Sequence, residues 1–373
     1  MLRFSLAASC AALAAGSAIA GGLDRSGQPV SPLFEAGSYG EFTLSFVAPS
    51  VSGVATAASP SPGASSGDMA GDYFAYSFAF KTDVNDRLSV ALLHDQPWGA
   101  DTDYPAGTGY FAQGSTATLN SDALTALVRY RLGERFSVHG GVRYETVSAN
   151  ALIPFVTAVP GVTPPYQVSA ATSSGTGWVA GAAYEIPQYA LRVAVTYSSS
   201  IDHNFATSET SVLGATASTT PVSFPQSVNL DFQTGLNQKT LLFGGLRWVD
   251  WSSFEMRPTD YATLTGDALV SYDSDTITYT LGLGRKLTDT LSAAVTLGYE
   301  APTGGFSSNL GPKDGMTSIG LGLSHQHGKV KISGGVRYVM VGDAQTTLDD
   351  VNAASDFTGN SALAVGMKVG FNF

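Results

Sequence analysis

For most of its length the chain alternates apolar residues with small or polar ones at a period of two. The last fourteen residues, NSALAVGMKVGFNF, show the pattern most clearly. Ser361, Leu363, Val365, Met367, Val369, Phe371 and Phe373 form one series, and Asn360, Ala362, Ala364, Gly366, Lys368, Gly370 and Asn372 the other. Successive side chains of an extended strand point to opposite faces, so this segment has one apolar face. Fourteen such segments recur, near residues 39–47, 72–81, 87–96, 122–132, 135–146, 176–186, 189–199, 226–236, 239–251, 275–286, 290–300, 316–326, 329–341 and 360–373. An even number is expected of a bacterial transmembrane barrel.

The connections alternate in length. Tight turns with suitable residues follow every second segment: Thr82 to Asp86, Gly133-Glu134, Pro187-Gln188, Asn237-Gln238, Thr288-Asp289 and His327-Gly328. The others are long and rich in Ser, Thr, Ala, Gly, Pro and Asp, at 48–71, 97–121, 147–175, 200–225, 252–274, 301–315 and 342–359. This is the rhythm of short periplasmic turns and long extracellular loops in an outer-membrane barrel. A soluble sandwich has no reason to sort its loops this way. Phe136, Val138, Val142 and Tyr144 alternate with Ser137, His139, Arg143 and Glu145, and the polar faces carry many glycines and few charges. The expected fold is therefore all-β, a 14-stranded antiparallel transmembrane β-barrel with a polar lumen. TLLFGGLRWVDW is apolar on both faces, which predicts a lumen that is apolar in part.

Composition narrows the class. The first 20 residues have a basic start (Arg3), an apolar stretch and a small-residue site at Ala18-Ile19-Ala20, the features of a secretory signal peptide. The single cysteine, Cys10, lies within it, so the mature chain has no disulfide framework. Of 19 Lys+Arg, Arg3 is lost with the signal; 18 then face 30 Asp+Glu, a charge of −12. That balance argues against nucleic-acid binding. Only 13% of residues are charged, about half the usual share, and no run of about 20 apolar residues follows the signal. The domain reading is signal 1–20, an N-terminal segment 21–38, and a barrel 39–373 in the outer membrane.

The segment GGLDRSGQPVSPLFEAGS lacks alternation and precedes the first strand. It reads as a small plug in the lumen, because a free periplasmic tail has no need of Leu33 and Phe34. The signal, this glycine-opening segment, the fourteen strands, FPQSVNLDFQTGLNQKTLLFGGLRWVDWSSF (224–254) and YEAPTGGFSSNLGPKDGMTSIGLGLSHQ (299–326) together resemble the FadL/TodX outer-membrane transport proteins. The resemblance implies uptake of fatty acids or hydrocarbons by loop capture, passage past an N-terminal hatch, and lateral exit where strand 3 kinks. The family's Asn-Pro-Ala motif is missing, so no binding residue carries over from its hatch. A C-terminal aromatic, here Phe373, resembles the signal read by the barrel-assembly machinery.

Strand 3, RLSVALLHDQPWGADTDY, contains Pro97, which cannot donate to a ladder, and Asp95, which would sit badly against lipid. Both suit a gap in the wall, although Pro97 could equally just end the strand. Exposed apolar stretches at 151–156 and 104–111 are candidate capture surfaces. Arg129, Arg143, Arg247, Arg337 and Lys368 face the lumen; the reading favours pairing with Asp231, Glu145 or Glu300 over contact with a ligand carboxylate. The substrate-binding or gating candidates are thus Leu33, Phe34, Asp95, Pro97, Arg143, Arg247 and Arg337. His94-Asp95 and Asp202-His203 are sequence neighbours on opposite faces and make no dyad. His325 and His327 lack further ligands for a metal. No enzyme and no cofactor is expected. Expected partners are hydrophobic small molecules, outer-membrane lipid, and lipopolysaccharide bridged through acidic loop residues such as Asp349 and Asp350. A general diffusion porin is the alternative, and an adhesive surface barrel a third reading.

Overall fold

The computed structural model describes residues 21–156 and 164–373; the signal peptide reading therefore lies outside the described residues. Fourteen wall strands close into one antiparallel barrel. They are β1 (Tyr39–Ser50), β2 (Tyr73–Asp83), β3 (Leu88–Asp95, continued by Gly99–Asp103), β4 (Thr116–Leu132), β5 (Phe136–Ile153) and β6 (Tyr166–Ile186). Then come β7 (Leu191–Ser198 and Ile201–Ser211), β8 (Gly214–Phe224 and Ser227–Asn237), β9 (Thr240–Val249) and β10 (Thr276–Lys286). The series ends with β11 (Leu291–Glu300), β12 (Met316–His327), β13 (Val330–Val341) and β14 (Ser361–Asn372). β14 pairs with β1 from Tyr39↔Asn372 to Ser50↔Ser361, so neither strand keeps a free edge. That closure is obligatory in hydrocarbon, where an unpaired backbone group costs several kcal/mol.

The faces are those of a barrel turned inside out relative to a soluble domain. Phe74, Tyr76, Phe78 and Phe80 on β2, Leu281 and Leu283 on β10, and Leu363, Val365 and Met367 on β14 are exposed on the outer wall. Thr125, Arg129, His139, Arg143, Glu145, Thr296, Lys331 and Lys368 are buried toward the lumen. The two-sided apolar character of β9 is also realised, since Leu241 and Phe243 pack inward against Ala294.

Several strands extend well beyond their expected limits. β4, β5 and β6 run on into what the pattern marks as loops, and most of 200–225 is a hairpin of the β7 and β8 extensions joined through Val212-Leu213. Burial still alternates along these extensions, as in Ile201–Ser211, but many buried positions are Thr, Ser, His or Glu and the outward ones are no longer apolar, so the apolar series fades. The outer loops hold a four-stranded cap sheet (Gly53–Ala55, Phe306–Ser307, Ala344–Thr347, Ala353–Phe357) and one short helix, α1 (Thr259–Thr265).

Close strand approach depends on glycine at Gly141, where a Cβ would lie 1.8 Å from the Ala126 carbonyl oxygen. Gly141→Ala is expected to cost about 1–3 kcal/mol through overpacking. The check is a lower urea midpoint for loss of the heat-modifiable band; an unchanged midpoint would refute the tight packing.

Candidate functional site

Residues 21–38 thread the lumen from its outer end to its periplasmic end. At the top, the Gly21 N–H donates to Glu300 Oε2 at 3.0 Å. Asp24, almost fully buried, accepts from Arg247 Nε at 2.5 Å, and Arg247 Nη1 also donates to Asn229 Oδ1 at 3.0 Å. Arg25 pairs with Asp101 at 2.6 Å and lies 3.8 Å over the Tyr73 ring. Ser26 donates to Asp95, and Gln28 accepts from Ser227 Oγ at 2.8 Å. Lower down, a 3₁₀ turn over Ser31–Phe34, started by the pre-set φ of Pro32, brings Leu33 and Phe34 to the wall. At the exit, Lys81 Nζ donates to the carbonyls of Glu35 and Gly37, each at 2.8 Å.

The wall is broken beside this segment. β2 pairs with β3 only from Phe78↔His94 to Asp83↔Ser89, while Gly99–Asp103 pairs with β4 and not with β2. Tyr73 to Ser77 of β2 therefore face no ladder on that side; the Tyr76 N–H is met instead by Gln96 Oε1 at 3.1 Å. The two sides meet again above, where the Gly71 N–H donates to the Asp101 carbonyl at 2.9 Å. Between these points lies a window. At its inner side the chain bends inward at Pro97, and the N-terminal segment replaces the lost partner: Arg25 N–H donates to Pro97 O at 2.8 Å and Gly99 N–H to Leu23 O at 2.9 Å. The bend buries Trp98, whose Nε1 donates to Glu145 Oε2 at 3.1 Å and whose ring packs edge-on against Trp251 at 5.3 Å. Leu23, Trp98, Phe205, Phe224, Trp251 and Phe254 form one apolar cluster across the upper lumen.

Three cavities follow this path. An outer one of about 1310 Å³ lies among the loops, lined by Phe111, Phe155, Tyr261, Leu310 and Phe306, with Gly21 and Gly22 at its floor. A smaller one of about 160 Å³ is flanked by Leu23, Met69, Leu119, Phe254, Met256 and Tyr272. A third, about 330 Å³, lies beside the N-terminal segment and is lined by Arg247, Arg337, Phe243 and Asp95; it reaches Tyr76 and Gln96 at the window. Lys313, in the loop between β11 and β12, borders the first two, and burial lowers its ammonium pKa to about 8.

A closed fourteen-stranded barrel of this kind has known counterparts. The family model described as outer membrane protein transport protein (OMPP1/FadL/TodX) matches residues 42–373. The chain belongs to this family. Among solved structures it is similar to a FadL homologue of Pseudomonas aeruginosa, with a TM-score of 0.73, 14% identity and 92% of each chain covered. It is also similar to the Pseudomonas putida toluene transporter TodX (TM-score 0.64, 12% identity, 91% of each chain). The Ralstonia pickettii toluene transporter TbuX matches with a TM-score of 0.63 at 14% identity, over 91% of this chain and 90% of that one. At these identities the structures speak to the fold. No curated protein matches at a significant level. As a FadL/TodX family member, the protein is an outer-membrane transport barrel for hydrophobic compounds.

Within this FadL/TodX barrel the sequence candidates fall into three groups. Leu33 is fully buried against Val30, Ala79, Ala91, Leu93, Leu127 and Val179, and Phe34 lies between the guanidinium groups of Arg129 (4.6 Å) and Arg192 (4.7 Å), edge-on to His139. Asp95, Pro97 and Arg247 meet around residues 24–26. Arg143 and Arg337 stand apart: Arg143 Nε donates to Thr125 at 2.9 Å while its Nη1 has no partner, and Arg337 lines the third cavity with no ion pair or hydrogen bond among the described residues.

Two expectations need correction. Asp95 does not face lipid; it is buried toward the lumen and bonded to Ser26, because the period of two places Ser89, Ala91, Leu93 and Asp95 on the inner face. The outward polar residue is His94, stacked on Phe78 at 4.7 Å and bonded to Asp122 at 3.1 Å. The ion pairs also differ from those expected. Arg247 pairs with Asp24, Arg129 with Glu185 and Lys368 with Glu41, while Glu145 accepts hydrogen bonds from His203 and Trp98. Those partners come from the N-terminal segment and from strands whose neighbours depend on register. Asp24, Trp98 and Trp251 escaped the sequence reading. The Gln-Pro-Trp run and the second Trp of RWVDW were the available signals.

Truncating Arg247 to alanine leaves the Asp24 carboxylate buried and unpaired, which costs about 3–5 kcal/mol. The expected result is faster tryptic cleavage after Arg25 in an otherwise intact barrel. Unaltered resistance would show that this pair does not hold the segment.

Proposed function

We propose that residues 21–38 act as a plug, and that hydrophobic compounds enter at the outer loops, pass the aromatic cluster beside the plug, and leave sideways through the β2–β3 window into the membrane. The observation that carries this reading is the third cavity, which runs from the plug to Tyr76 and Gln96, where the wall has no ladder. A lateral exit suits an apolar cargo, since it avoids a second crossing of water. Leu33 and Phe34 seal the lower lumen, Asp95 and Arg247 hold the plug's upper part, and Pro97 keeps the window open. Arg143 and Arg337 are cations able to meet a carboxylate on the cargo. No step here asks for bond-making, and we read the protein as a channel without enzymatic activity or cofactor.

The same reading assigns surface roles. Phe373, which is 70% exposed and whose N–H donates to Ser38 O at 2.9 Å, is the contact for the barrel-assembly machinery. Deleting Phe373 should lower outer-membrane assembly in cells and leave refolding in detergent unaffected; equal loss in both would make it merely a structural residue. Asp349 is held down to about 2 by hydrogen bonds from the Asn352 backbone and side chain, and with Asp350 it supplies the anionic tip that divalent ions would bridge to lipopolysaccharide.

Planar-bilayer recordings test the plug. The mature protein should be nearly silent, and a variant lacking residues 21–38 should conduct steadily. Large steady currents from both would make it an open diffusion porin. Restoring the ladder with Gln96→Val and Pro97→Thr should cut uptake of radiolabelled hexadecanoate or toluene severalfold without altering the current of the truncated barrel. Undiminished uptake would sink the lateral route.

A further inference from the structure

Glu300 ends β11 and is 3% exposed at the outer end of the lumen. Its carboxylate accepts from Thr278 Oγ1 at 2.5 Å and from the Gly21 backbone nitrogen at 3.0 Å. Lys313 and Asp24 are the other charged groups that act on it. A buried carboxylate is costly unless opposite charge is placed near it. Lys313 supplies some of that charge, and the backbone atom in hydrogen-bond contact is the nitrogen that follows Ala20, where the sequence predicts signal cleavage.

The surroundings are cut to this position. A Cβ on Gly21 would lie 2.4 Å from Thr276 Cγ2 and 2.7 Å from Glu300 Oε1. One on Gly22, whose φ is +60°, would lie 2.4 Å from the indole of the fully buried Trp251. Gly22 must be glycine for its left-handed backbone and the indole beside it, and at Gly21 a larger residue would push on the Thr276 and Glu300 side chains.

Topology adds an independent constraint. β1 starts at the periplasmic end, yet Gly21 sits at the outer end, so the segment runs the full height of the lumen. A precursor still anchored by its signal on the far side of the periplasm cannot bring Gly21 there.

We propose that cleavage of the Ala20–Gly21 bond creates the group that locks the plug: the new α-ammonium of Gly21 forms a buried ion pair with Glu300, so that processing must precede plug closure. Water adds across the amide under a membrane-bound signal endopeptidase, its hydroxyl going to the Ala20 carbonyl carbon and a proton to the Gly21 nitrogen. At neutral pH the Ala20 acid releases its proton and the Gly21 amine gains one. The amide donor of the precursor thereby becomes a cation with three donors facing Glu300. The proposal rests on the plug reading of residues 21–38, but its readouts do not involve transport.

The test begins with the intact mass of protein purified from outer membranes, which should start at Gly21. Four full-length mature proteins are then refolded: one starting at Gly21, one with an extra alanine before it, Glu300→Gln, and the combination. Heat-modifiable mobility confirms that each barrel has formed, and tryptic cleavage after Arg25 reports plug release. The alanine extension and E300Q should each speed cleavage about tenfold or more, as loss of one member of a buried pair implies. Together they should do no more than either alone, the signature of a shared interaction. A start other than Gly21, wild-type resistance in the extended protein or in E300Q, or effects that multiply would each overturn the proposal.

Discussion

The constraint behind this structure is that hydrocarbon offers no hydrogen bonds to a peptide group. Most of the wall meets it with ladders between neighbouring strands, but the seam between β2 and β3 is open above Phe78↔His94. At this seam Pro97 has no N–H and turns the chain inward. The orphaned groups are met from two sources: a side chain, Gln96, serves Tyr76 on the outer side, and the backbone of Leu23 and Arg25 serves Pro97 and Gly99 on the inner side. The plug is thus part of the wall's hydrogen bonding as well as an occupant of the lumen. A rearrangement of residues 23–25 would disturb the window directly, with no need for a relay through the barrel.

The lumen supplies the second half of that coupling. Several lumenal charges take their partners from the plug: Asp24 for Arg247, Arg25 for Asp101, and the ring of Phe34 for two guanidinium groups. Such pairs are poor sources of net stability compared with apolar packing. They penalise any plug position that leaves a charge unmatched, so they define one seated arrangement. Apolar contacts from Leu23 and Leu33 fill the space around them.

Much of the fold was legible in the sequence because lipid enforces the alternation. Where the apolar outer face ends, the signal ends too: the Thr- and Ala-rich extensions of β4 to β8 read as loops, since their outward residues are polar and their buried ones include Thr207, Glu209 and Ser211. Leu33 and Phe34 stood out as apolar residues with no strand to explain them, and Pro97 as a residue a ladder cannot use. Asp95 was assigned to the wrong face, because register decides inside from outside and a one-residue shift exchanges them. Ion-pair partners such as Asp24 for Arg247 were out of reach. They are 223 residues apart, and only the closed barrel brings them together.

The extended strands also give the barrel an uneven rim. β6 has 21 residues against ten in β11, and at about 3.3 Å per residue the difference along the strands is roughly 35 Å. The long strands, β4 to β8, begin beside the window, while the shorter strands opposite carry the cap sheet on their loops. The mouth of the barrel is therefore asymmetric, with a parapet of long strands standing next to the opening in the wall. On the proposed lateral route, an oily molecule would cover that added height inside protein before release among acyl chains.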